Sequence, residues 1–276
     1  MTTVEFEEGC SIDSIPIELF YGCTKLSSVN IPSTVKNIYR RAFRECGSLV
    51  TVVIPEGVVS IGPEAFFCCL ALKNIHIPSS VETIGGADPV GDKVISELAF
   101  SRCENLETVT FGENSKLTKI NDYTFKNCHK LKSISIPNGV TEIGTEAFYQ
   151  CYDLASIYIP KSVTTIGKSA FAHTLASDCY YEGTEEEWGD ITVMETEGSG
   201  LANANMHYNS ASINEYAVTE IEAVPATFEE TGNNGVQYSL DGTATDVTSS
   251  LLALHQLEEQ RVDIQCTRSG SVELLR

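Results

Sequence analysis

The 276-residue chain is poor in basic residues: 18 Lys and Arg stand against 38 Asp and Glu, a formal charge of -20. The shortage is uneven, because residues 178–276 carry 19 acids and 3 bases while residues 1–177 carry 19 and 15. A surface of that sign repels phosphate backbones, so no nucleic acid is expected as a partner. No stretch of about 18 consecutive apolar residues occurs, so no helical membrane span is expected. Catalytic signatures are missing too. There is no H-E-x-x-H, no G-x-S-x-G and no glycine-rich phosphate loop, and His76, His129, His173, His207 and His255 fall at unrelated positions. Ten cysteines include no C-x-x-C pair, which removes the usual spacing of a zinc site. No N-x-S/T sequon is present, and Trp188 is the only tryptophan. These lacks argue against an enzyme, and no catalytic, cofactor-binding or metal-ligating residues are expected.

What the chain does have is a beat. Ile-Pro recurs at 31, 54 and 77 and again at 136 and 159, each step within the two runs being 23 residues. Phe20, Phe43, Phe66, Phe100, Phe125, Phe148 and Phe171 keep the same rhythm. Three residues after six of them stands a cysteine, at 23, 46, 69, 103, 128 and 151, and the seventh unit has Thr174 there. The unit reads L-x-x-I-x-I-P-x-x-V-x-x-I-G-x-x-A-F-x-x-C. Such a unit is too short to bury its own apolar side chains, so units must stack around a shared core. Its L-x-x-I-x-I segment predicts a short strand ended by Pro, which cannot donate to a ladder. The V-x-x-I-G segment predicts a second extended piece turning at Gly62, Gly144 or Gly167 through positive φ. The A-F-x-x-C segment suits a single helical turn on the opposite wall.

These motifs resemble the leucine-rich repeats of the BspA-like family, surface proteins of gut and oral bacteria and of some protozoa, over residues 3–177. The resemblance implies a curved solenoid without catalytic chemistry that binds macromolecules in adhesion and brings no fixed ligand. Family members are typically secreted, whereas this chain shows no signal peptide. The expected fold is a leucine-rich repeat β-solenoid of stacked 23-residue coils, a parallel sheet with short helical turns, followed by a capping segment and a small all-β module. The expected boundaries are 1–177 for the solenoid, 178–208 for the cap and 209–276 for the acidic β-rich module, immunoglobulin-like in one reading.

Four details refine this expectation. Val4, Phe6 and Phe20 align with Val109, Phe111 and Phe125 as a 25-residue variant, so Met1 falls inside a first unit with no polar cap ahead of it. Either that coil is open or upstream residues, such as a signal peptide, are missing, and the second is expected. An insertion lengthens the unit between Ile84 and Phe100. Its Asp88 and Asp92 fall short of a calcium ligand set, so a tolerated surface loop is expected. The repeated cysteines should face inward as buried free thiols, the alternative being a bridged ladder. Thr184 and Glu187 form a T-x-x-E capping box, and Trp188 is expected to close the end of the core. Glutamates beside that tryptophan could suggest a glycosidase, but Glu185, Glu186 and Glu187 on one turn point in different directions. Residues 178–208 also look like the end module of BspA-like proteins, through Tyr180, Tyr181, Gly183, Thr184, Trp188, Ile191 and Tyr208.

A ligand would meet the outward side chains of the main strands: Ser28 and Asn30, Thr51 and Val53, Asn74 and His76, Thr108 and Thr110, Ser133 and Ser135, Ser156 and Tyr158. This stripe can hydrogen-bond a protein or glycan, and it has no aromatic row for sugars and no basic row for phosphate. The alternative is a solvated strand face, since Thr favours strands. Cell-surface or secreted adhesion is the expected function. A structural spacer presenting the C-terminal module, or a cytoplasmic interaction scaffold with reduced thiols, is the alternative.

Overall fold

The structure, a computed structural model, describes residues 3–7, 9–86, 97–194, 200–213, 261–266 and 272–274, the last two ranges as strands only. Each coil supplies one strand to a long wall and a two-residue strand to a short one. The first coil gives β1 (Thr3–Phe6) and β2 (Ser14–Ile15), and the pattern continues with β3 (Ser28–Asn30), β4 (Asn37–Ile38), β5 (Thr51–Val53), β6 (Ser60–Ile61), β7 (Asn74–Ile77) and β8 (Thr83–Ile84). After the insertion come β9 (Thr108–Phe111), β10 (Lys119–Ile120), β11 (Ser133–Ser135), β12 (Glu142–Ile143), β13 (Ser156–Ile159) and β14 (Thr165–Ile166). The ladders run on past residue 177 through β15 (Asp178–Tyr181), β16 (Thr192–Val193) and β17 (Asn205–His207). All these pairs are parallel and in register, with Ser28 opposite Thr51, Asn74 opposite Thr108 and Ser133 opposite Ser156. Where the long wall is not a full ladder, single bonds carry it across, from Lys73 N–H to Val50 O (3.4 Å) and from Lys132 N–H to Glu107 O (3.3 Å).

The core is a set of columns. The seven phenylalanines are fully buried and their rings lie nearly parallel, 5.1–5.5 Å apart from Phe20 to Phe171. That separation is close to the interstrand spacing of about 4.8 Å, so the sheets set the stacking distance. Beside them run Ala42, Ala65, Ala99, Ala147 and Ala170, with Leu19 in the first coil and Thr124 in the fifth, the Thr124 hydroxyl donating to Asn121 O (2.8 Å).

The third wall differs from the single helical turn that A-F-x-x-C suggested. The residue two before each Phe except Phe100 adopts left-handed φ, as does the residue two after each: Glu18, Arg41, Glu64, Tyr123, Glu146 and Ser169 on one side, and Glu45, Cys68, Arg102, Asn127, Gln150 and His173 on the other. Gly22 holds the second position in the first coil. The segment is therefore a pair of tight turns, and the left-handed residues aim alternate N–H groups along the stack. Glu18, Phe20 and Gly22 donate to Arg40, Ala42 and Arg44 at 3.1, 2.8 and 2.9 Å, and Glu146, Phe148 and Gln150 donate to Lys168, Ala170 and Ala172 at 2.9, 2.8 and 2.9 Å. A helical turn would align all its N–H groups along its own axis instead of turning alternate ones toward the next coil.

The repeated glycine also works otherwise than expected. None of Gly62, Gly144 and Gly167 has positive φ. Each abuts the preceding coil: a Cβ on Gly62 would lie 2.7 Å from Arg40 N, and one on Gly144 would lie 2.6 Å from Asp122 N. The close approach lets Gly62 and Gly144 N–H reach Ile38 O and Ile120 O at 2.7 Å.

The first coil is not open. β18 (Arg261–Cys266) pairs in parallel with β1, Thr3 opposite Arg261 through Phe6 opposite Ile264, and β19 (Val272–Leu274) pairs antiparallel with β18. Val4, Ile15 and Phe20 are fully buried. These two strands join the solenoid's own sheet, while the rest of the module expected at 209–276, from 214 on, lies outside the described residues, as do Asp88 and Asp92. At the other end Thr184 caps α1 (Glu185–Gly189): Glu187 N–H donates to its hydroxyl (3.2 Å) and its own N–H donates to the Glu187 carboxylate (2.8 Å). Trp188 meets Tyr181 edge-on at 5.2 Å and packs against the core while staying half-buried, and Leu201, Met206 and Tyr208 pack against the same core.

Two substitutions test the turn wall and the glycine contact. Gly144→Ala forces a methyl into backbone and should cost about 1–3 kcal/mol in urea unfolding. Gln150→Gly relieves a left-handed side chain at about 1–2 kcal/mol but adds unfolded-chain entropy of about 0.5–1 kcal/mol, so a net gain of about 0.5–1 kcal/mol is expected.

Candidate functional site

Register places the outward residues in two rows on the long wall. Ser28 and Thr51, Asn74 and Thr108, Ser133 and Ser156 make one; Asn30 and Val53, His76 and Thr110, Ser135 and Tyr158 make the other. All are exposed or half-buried except Tyr158, which is only 6% exposed, and Val53 is 65% exposed. His76 Nδ1 and the Thr110 hydroxyl lie 2.9 Å apart and orient each other.

The second row does not stop at Tyr158. Tyr180 stands opposite it on β15 and His207 opposite Tyr180 on β17, with the Tyr180 and His207 rings stacked at 4.5 Å. An aromatic row therefore exists on this face, contrary to the reading of the repeats alone, because two of its members lie beyond the repeat pattern. The signal was there in the alternation of D-C-Y-Y and N-M-H, which matches S-I-Y-I. His207 Nε2 lies 2.8 Å from Asp178 Oδ1, and the hydrogen bonds from His207 and Ser177 hold the Asp178 carboxyl below its usual range. Burial, followed by the nearby Glu182 charge, raises the Tyr158 phenol.

Where this row meets the strand ends, the chain leaves a hollow of about 590 Å³. Thr110 and Ser135 form its floor, and residues 112–115 form one wall. Asn138, Tyr158 and Ala211 form the other side. The wall exists because the unit starting at Thr108 is two residues longer than the 23-residue unit that follows it, and Gly112 lies against Ser79 so closely that a Cβ would fall 2.5 Å from Ser79 N. Of the predicted face, Thr110, Ser135 and Tyr158 thus come together with residues that repeat reasoning passed over, Glu113, Asn114 and Asn138.

The turn wall offers cations already matched. Arg41 Nε lies 3.1 Å from Glu64, Arg44 pairs with the same buried carboxylate, and the Arg44 guanidinium sits 4.4 Å from the Phe67 ring centre. Lys126 pairs with Glu146 and lies 4.9 Å from the Tyr149 ring centre. Among the described residues no cluster of three His, Cys, Asp or Glu could hold a metal ion.

The cysteine column is a ladder of free thiols. Cys46, Cys69, Cys103, Cys128 and Cys151 are fully buried, and each S–H donates to the phenylalanine carbonyl one coil back, Cys46 to Phe20 at 3.1 Å and Cys151 to Phe125 at 3.3 Å. Burial pushes Cys46 to about 12, helped by Cys23, and Cys179 to about 12, and raises Cys69, Cys103, Cys128 and Cys151 well above the ordinary value. Such thiols are neither nucleophiles nor metal ligands at neutral pH. Cys10 differs, being disulfide-bonded, which departs from an all-reduced set of cysteines.

The model of the BspA type leucine rich repeat region matches residues 1–87 and 92–197, with six copies. The chain belongs to this family. Solved structures similar to this BspA-type chain include a leucine rich cell surface protein from Faecalibacterium prausnitzii, 27% identical over 71% of this chain and 63% of that one, TM-score 0.47. Another is a leucine-rich repeat protein from Bacteroides ovatus, 24% identical over 71% and 59%, TM-score 0.49. The chain therefore spans less than two thirds of either relative's length. No curated protein matches it.

The thiol ladder makes an alkaline prediction. A thiol whose folded pKa lies above its unfolded value stabilises the fold fully below about 9, and that contribution is lost as pH rises toward about 12. The urea midpoint should stay level up to about pH 8 and fall from about pH 9 upward, and Cys103→Ala should lower the starting midpoint and flatten the fall.

Proposed function

We propose that this chain is a non-enzymatic binding protein of the cell surface, whose long-wall face engages a protein or glycan in adhesion. The observation that carries the reading is the face itself: two in-register rows of hydroxyls and amides with one imidazole and the exposed Val53, from Ser28 to Tyr158, ending in a hollow rimmed by three exposed polar side chains. Rows set by backbone register are pre-ordered, so a ligand that matches them loses little entropy in ordering the protein side. The turn wall is a weaker candidate, because its cations already neutralise Glu64 and Glu146. A disulfide at Cys10 fits an oxidising, extracytoplasmic setting better than a cytoplasmic one. In this reading residues 1–177 carry the binding face and residues 178–208 act as the terminal coil that shuts the core.

Purified extracellular-matrix proteins and mucin, immobilised as a panel, test this with the full chain. Thr51→Arg and Ser133→Arg should weaken binding to a panel member at least tenfold, while Leu70→Arg, away from that face, leaves it unchanged. Equal loss with all three, or retention with all three, would remove the face from the function.

A further inference from the structure

We propose that the hollow beside Tyr158 is a subsite for a neutral sugar residue of a larger glycan. This rests on the binding reading above and adds the ligand class. Charge excludes the alternatives first. The lining holds one carboxylate, Glu113, and no Lys, Arg or His, and the nearest cation in sequence, Lys116, pairs with Glu82 at 3.6 Å. A phosphate, sulfate or carboxylate would meet no counter-charge there and would face Glu113. An apolar peptide anchor finds less to bury against, since Val109, Ile136 and Tyr158 are 6%, 1% and 6% exposed and Phe111 and Pro137 are half-buried, than a ligand of hydroxyls finds to bond.

What is exposed matches hydroxyl chemistry. Thr110, Ser135, Asn114 and Asn138 each offer both donor and acceptor capacity, as sugar hydroxyls do, and a carboxylate such as Glu113 accepts from two adjacent hydroxyls at once. Asn114 holds left-handed φ (55°) within the wall, and the Thr110 hydroxyl is already oriented by His76. The volume of about 590 Å³ lies inside the range of small-ligand sites, about 300–1,000 Å³.

The full chain, titrated by calorimetry with cellobiose, lactose, chitobiose and mannobiose and with 3′-sialyllactose as the charged contrast, tests the assignment. At least one neutral disaccharide should bind. Glu113→Gln and Asn138→Ala, both exposed positions, should each weaken it at least fivefold with an unchanged urea midpoint, and Leu70→Arg, away from the long-wall face, should leave it intact. No binding of any neutral sugar, preference for sialyllactose, or binding indifferent to both substitutions overturns the subsite. Loss of the subsite leaves the face standing if Thr51→Arg still abolishes matrix-protein binding; the face fails on that second assay alone.

Discussion

Every coil must hydrogen-bond its neighbour on three walls at a common spacing near 5 Å, and that constraint selects the residues. On the long wall ordinary parallel strands meet it. At the short wall Gly62 and Gly144 lie so close to the preceding coil that their would-be Cβ atoms fall 2.7 and 2.6 Å from Arg40 N and Asp122 N, while Tyr39, in the same place of its coil, makes the corresponding bond to Ile15 O at 3.0 Å. On the turn wall the spacing is met by left-handed residues that redirect alternate N–H groups along the axis. Phenylalanine then fills the interior because a flat ring stacks at the distance the walls impose, adding about 0.5–1.5 kcal/mol per pair beyond its buried area. Since each coil touches only its neighbours, such gains accumulate coil by coil, and a faulty coil disturbs two interfaces.

Much of this was legible. The 23-residue beat located the columns of Phe20 to Phe171 and Cys46 to Cys151 because a solenoid turns sequence period directly into spatial alignment. The turn wall was misread for a physical reason: apolar residues at i, i+1 and i+4 fit a helical turn and a double tight turn equally well, and the choice lies in φ values that Glu146 or Gln150 do not advertise. The glycines were misread similarly. A glycine signals either positive φ or close approach, and only the position of Asp122 N relative to Gly144 separates the two. The aromatic row was missed because Tyr180 and His207 follow the point where the repeat becomes irregular.

That point of irregularity has its own mark in the sequence. In the seventh unit the ladder cysteine becomes Thr174, whose hydroxyl donates to the carbonyl of Phe171 in its own coil at 3.0 Å, and Gly200 N–H donates to the same carbonyl at 3.0 Å. A Cβ on Gly200 would collide with the Thr174 hydroxyl. The change from thiol to hydroxyl thus coincides with the place where residues 200–208 fold back on the last coil.

Regularity and recognition make opposite demands on this architecture. A perfect stack of identical coils presents the same shallow polar ridge at every step, and a ridge that repeats offers a ligand no unique register. Relief appears only where units differ: two extra residues after Phe111 raise a wall, a tyrosine replaces the small residue of the neighbouring coil at 158, and Ala211 closes the far rim. The hollow forms where these departures coincide, on strands whose positions the buried columns hold fixed. The repeats therefore supply rigidity and length, and the exceptions to the repeat supply the relief.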